Sequence, residues 1–175
     1  MAITIDERNL SGRGNGFIRT ILSPIYPRIA VDRKSQIDSV VIFGKDSSTL
    51  NHNELFKTNN ENIKANYFEV WKKNNPKQWT LQKLHFRIEM KEGFNSYSEI
   101  LNFHIDFAVV DDTNEYKKYP HIHIKHPKIE CISNAHIPLN LNDISEISDS
   151  IEKFNDNVSK IIAAINDEFI SAFKI

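Results

Sequence analysis

At 175 residues, 40% hydrophobic and 26% charged, the chain has the composition of a soluble globular protein and the length to bury a real core. Its formal net charge of −1 excludes a global field that would advertise a nucleic-acid partner. No apolar run approaches the roughly 20 residues of a membrane span, and the start Met1-Ala2-Ile3-Thr4 lacks the basic and apolar parts of a signal peptide.

Cys131 is the single cysteine, so no internal disulfide can form and a reducing, cytoplasmic setting is expected. Charge is unevenly placed: 143–175 holds three Lys and seven Asp/Glu, whereas 1–142 holds 19 Lys/Arg and 16 Asp/Glu. An acidic tail thus follows a mildly basic body.

In chain order, Gly12, Gly14 and Gly16 predict a flexible loop rather than a nucleotide fingerprint. A short helix is expected over 17–22, stopped by Ser23-Pro24. A strand follows over 37–43, ended by Gly44, then a turn from Asp46. Phe56, Ile63, Tyr67, Val70 and Trp71 fall near helical spacing, which predicts a helix over 52–74 closed by Pro76.

Three segments then alternate with period two. Leu84, Phe86, Ile88 and Met90 oppose His85, Arg87 and Glu89; Leu101, Phe103, Ile105, Phe107 and Val109 oppose Asn102, His104 and Asp106; Ile122 and Ile124 oppose His121, His123 and Lys125. This is the pattern of an antiparallel β-meander packed on one side. Residues 128–132 are expected as a further short strand, and 133–140 as a loop carrying His136 back to the sheet. A capping box at Asp143 and Glu146 opens one long amphipathic helix to the C-terminus, roughly 45 Å long. Its apolar stripe packs on the sheet or pairs with a second copy through 143–173.

The expected fold is therefore α+β, with helices packed on one face of the meander. It is expected as one domain over 1–175: an N-terminal strand and helix part (1–80), the meander with a histidine-rich polar face (81–140) and the C-terminal helix (141–175).

The polar face gathers His85, Arg87, Glu89, His104, His121 and His123, residue types suited to proton transfer and charge stabilisation. They are the candidate catalytic residues of a metal-free ribonuclease, with His121 and His123 as acid and base and Arg87 stabilising charge. A second chemistry is metal binding, in which His121 and His123, about 7 Å apart along a strand, share an ion with His104 or Asp106. His-x-His alone is a weak motif, so no metal and no cofactor are expected. The bland alternative is a solvated face, or one covered by the 52–74 helix.

Cys131 lies just after His126-Pro127, which loosely resembles the layout of ubiquitin-conjugating enzymes. The spacing and the His-Pro-Lys triplet depart from that family, and a buried structural cysteine is expected instead.

Residues 84–162 resemble the TumE-like toxins of bacterial toxin–antitoxin pairs, through Asn102-Phe-His-Ile-Asp-Phe, the His121-Ile-His123 segment and the helix that follows. The N-terminal 80 residues exceed what such toxins need. The resemblance implies a small cytoplasmic protein encoded beside a protein partner, with nuclease-type toxicity. The chain thus reads as a bacterial or phage accessory protein of toxin–antitoxin or defence type, with an antitoxin or defence-complex subunit as partner, RNA as a candidate substrate and no membrane. The alternative is a non-enzymatic interaction module working through the acidic helix.

Overall fold

The structure, a computed structural model, describes residues 3–94, 96–107, 121–125 and 150–171, and the backbone of 135–138. A nine-stranded antiparallel sheet dominates it. In chain order the strands are β1 (Thr4–Asp6), β2 (Ala30–Ser35), β3 (Ser39–Lys45), β4 (Phe56–Lys57), β5 (Ile63–Asn75), β6 (Gln78–Lys91), β7 (Tyr97–Asp106), β8 (His121–Ile124) and β9 (Ala135–Pro138). Their spatial order is β2-β3-β5-β6-β7-β8-β9, with β1 paired to β6 and β4 to β5. The helical segments complete an α+β architecture.

The expected meander is present as β6, β7 and β8. Its apolar face joins Leu84, Phe86, Ile88, Leu101, Phe103 and Ile105 in one core cluster.

The glycine run is helical, not a loop. Asp6 caps α1 (Glu7–Arg13), its carboxylate accepting from the Asn9 N–H at 2.7 Å. The chain continues through a π-helical turn over Gly14–Ile18 into α2 (Arg19–Leu22). Gly14 lets this helix approach β2 closely: a Cβ there would lie 3.1 Å from Val31 Cγ1. The buried Leu10, Ile18, Ile21 and Leu22 hold the segment to the core, which outweighs the weak helix propensity of glycine.

The helix expected over 52–74 is instead a loop followed by β4 and the 13-residue β5. Strand β5 lies between β3 and β6 and is buried on both faces. Apolar side chains therefore stand side by side, Tyr67 beside Phe68 and Val70 beside Trp71, and this blurs the period of two. The strand expected over 37–43 begins at Ser39, with Ile37 exposed in the preceding turn. Gly44 sits within β3, where a Cβ would come 2.7 Å from Leu22 Cδ1.

The C-terminal helix, α3 (Ile151–Ile165), starts at Ser150, whose hydroxyl accepts from the Lys153 N–H at 3.2 Å. A π-helical turn over Asn166–Ile170 ends it. It is thus shorter than expected, and the Asp143/Glu146 box lies outside the described residues, as do Cys131, His126 and 128–132. Phe154, Val158, Ile162 and Ile165 are buried in the same cluster as the sheet's apolar face. The segment expected as a loop around His136 contains β9, paired to β8. Among the described residues, no helix is long and apolar enough to cross a membrane.

Candidate functional site

The opposite face of the sheet carries the histidines. Cross-strand register lines up Phe43, Phe68, His85, His104 and His121 as direct neighbours on β3, β5, β6, β7 and β8. Facing partners in an antiparallel pair point to the same side, so these side chains form one row of rings. Ring centroids are 5.0 Å apart for Phe68–His85, 6.2 Å for His85–His104 and 4.1 Å for His104–His121.

His123, two residues beyond His121 on β8, closes the group. Its ring centroid is 4.7 Å from that of His104 and 4.8 Å from that of His121. The Nε2 atoms of His104 and His123 are 2.9 Å apart. One nitrogen from each of His104, His121 and His123 falls within 4.8 Å of the others.

One end of the row is not polar at all. Val41, Phe43 and Phe68 form a second small core with Val70 packed on it. Residues 46–55 fold over this cluster, and the His52 ring meets Phe68 edge-on at 5.2 Å. Asp46 anchors that segment by accepting from the N–H groups of Ser48 and Lys57, each at 2.8 Å. The Asn66 amide holds it down by donating to the carbonyls of His52 (2.6 Å) and Glu54 (2.8 Å). A loop, not a helix, therefore covers this part of the face.

Arg87 and Glu89 lie on the same face of β6 and pair with each other at 3.1 Å. Arg87 also donates to the Asn53 carbonyl at 3.3 Å. In register, Asn102 stands between Arg87 and His123, which sets their backbones about 10 Å apart, two strand spacings. Lys125 pairs with Glu99 at 2.9 Å.

Of the six expected site residues, the structure thus brings His104, His121 and His123 together with His85 beside them. Arg87 and Glu89 stand apart as an ion pair.

Electrostatics favour neutral rings at His104 and His85. Burial, then the neighbouring His121, His123, His85 and Lys83, pushes His104 down to about 3. Burial, then Lys83 and Arg87, brings His85 to about 4. Burial raises the Glu89 carboxyl despite Arg87. A neutral imidazole offers one N–H and one lone pair, so the His104–His123 approach joins a donor to an acceptor, or two lone pairs facing one cation.

Sequence reasoning missed His52, which comes from a loop. It also left His136 in a loop, whereas β9 sets it directly opposite His123 in register. Ala135-His136-Ile137-Pro138 alternates as His121-Ile122-His123-Ile124 does, and that signal was available. Comparison with protein-family models, curated proteins and solved structures finds no match to this chain.

Proposed function

We propose that the protein cleaves RNA phosphodiester bonds at this histidine face, as an accessory protein of toxin–antitoxin or defence type. The observation that carries the reading is the convergence of His104, His121 and His123 on one face of the sheet. One imidazole removes the 2′-hydroxyl proton and a second protonates the leaving oxygen, which is the use of His121 and His123. Arg87, about 10 Å away by strand spacing, suits a neighbouring phosphate better than the scissile one. Lys83 beside His85 adds positive charge to the same face. The C-terminal helix, as an amphipathic element, closes the opposite face. The short motifs shared with TumE-like toxins agree with this assignment.

The test is a mixed RNA pool incubated with the purified protein, with and without chelator, beside the His121→Ala/His123→Ala variant. Cleavage that survives chelation and disappears in the variant is expected. Cleavage by the variant at the wild-type rate contradicts the reading.

The exposed Glu152, Asp156, Asp167 and Glu168 on the C-terminal helical segments favour a second reading, an acidic docking surface for a protein partner. Because α3 is part of the core, truncating it would unfold the chain. Charge reversal of Asp167 and Glu168 to lysine is the cleaner probe: it abolishes partner association under this reading and leaves RNA cleavage unchanged under the first.

A further inference from the structure

We propose that His104, His121 and His123 bind one divalent transition-metal ion of the zinc type through three imidazole nitrogens. The proposal shares its site with the function above, but it does not depend on RNA being the substrate.

The geometry is that of a gathered ligand set. Zinc takes imidazole nitrogen at about 2.0–2.1 Å, which places neighbouring ligand atoms roughly 2.9–3.4 Å apart in octahedral or tetrahedral arrangements. His104 Nε2 and His123 Nε2 are 2.9 Å apart, and all three donor nitrogens lie within 4.8 Å of one another. Closing the widest separation asks for a movement of roughly 1.5 Å at side-chain ends, within reach of small χ adjustments.

The scaffold resists larger changes. His104 and His121 are direct cross-strand partners, and His123 follows at the same-side position on β8. Antiparallel strands on both sides, β6 and β9, hold β7 and β8 in register.

Donor chemistry fits as well. Three imidazoles with no thiolate suit zinc and its first-row neighbours better than magnesium or calcium. Three protein ligands leave a fourth position for water or substrate. Asn102 and His85 are half-buried polar register neighbours of the triad, close enough for the Asn102 amide to hydrogen-bond the His85 ring. Polar groups at the edge of a ligand set are suited to orient a metal-bound water. Because each ligating nitrogen commits its lone pair, acid–base cleavage by His121 and His123 and full metal loading exclude one another. A bound ion therefore suppresses that activity and a chelator restores it.

The test uses the full-length protein freed of metal, titrated with Zn²⁺ by calorimetry and with Co²⁺ by visible absorption. One ion per chain is expected, with cobalt bands of a low-coordinate nitrogen site. His104→Ala and His123→Ala each weaken binding by more than about tenfold, a loss of at least about 1.4 kcal/mol. His52→Asn binds as the wild type does. Thermal denaturation shows whether each variant is folded, and a metal-dependent rise in midpoint is expected in wild type and absent in His123→Ala. The absence of saturable one-to-one binding, or equal binding by a folded His123→Ala variant, overturns the proposal. Failure to cleave RNA under any condition would remove the function proposed above and leave the cobalt spectrum to judge the metal site.

Discussion

Two polar clusters sit on opposite faces of the same sheet, and they are built on opposite plans. On the helix side, Arg13 and Glu69 are buried as an ion pair in which Arg13 Nη2 donates to Glu69 Oε1 at 2.7 Å and Arg13 Nε donates to Oε2. The Tyr67 hydroxyl and the Trp71 indole N–H donate to the same carboxylate at 2.6 Å and 2.8 Å. Asn155 of α3 accepts from Arg13 Nη1 at 2.8 Å. Every strong acceptor position on Glu69 is thus used, and burial together with the Glu69 charge keeps the Tyr67 phenol protonated, its pKa well above the ordinary value. On the other face, like groups crowd like: three imidazoles converge, their ring centroids 4.1–4.8 Å apart. A saturated cluster locks helices to the sheet. A cluster of converging imidazoles is suited to a ligand or a proton.

The largest expected effect breaks the first cluster. Arg13→Met leaves Glu69 buried without its counter-charge, which costs about 3–5 kcal/mol of stability by urea denaturation. The same change leaves Zn²⁺ affinity of the folded protein unaltered. A loss below about 1 kcal/mol would mean that the pair does not organise the core.

The second effect is a pH dependence. His85 titrates near 4 in the folded chain and near 6.5 when unfolded. Between these values the unfolded state binds the proton and the folded state does not, so stability falls as pH drops from about 6.5 towards 4. The groups facing His85 are Lys83, Arg87, Asn102, Glu99, His104 and the Phe68 ring. The expected loss is on the order of 2–3 kcal/mol in metal-free buffer. His85→Phe should remove its share of that slope and leave the share of His104, which is pushed down to about 3; an unchanged slope would assign it wholly to other groups.

Gly44→Ala follows. Its Cβ would press on Leu22 Cδ1 and on Phe56 Cε1, 3.2 Å away, for a loss of about 2 kcal/mol in urea denaturation. The smallest effect is Ser150→Ala, which removes the α3 cap and costs about 1 kcal/mol in the same measurement.

How far the sequence foretold this arrangement differs between the two faces. The meander and the shared side of His85, His104, His121 and His123 were legible, because strands with one apolar face alternate cleanly. Strand β5 was not, because burial on both sides puts Tyr67 next to Phe68 and removes the alternation. The Arg13–Glu69 pair was invisible for the same reason: Glu69 occupies a core-facing position of that strand, and its partner lies 56 residues away within a glycine run that reads as a loop. The helix start at Ser150 was hidden because Asp143 and Glu146 offered a competing cap in sequence. Proximity of His104 to His123 needed the strand register, which no local pattern supplies.

The central claim is a division of labour between the faces, and one paired measurement tests it most directly: RNA cleavage and urea midpoint recorded together for His123→Ala. The account predicts that cleavage is lost while stability falls by no more than about 1 kcal/mol, the central value for a point change. A variant that unfolds, or that cleaves RNA as well as the wild type, would contradict it.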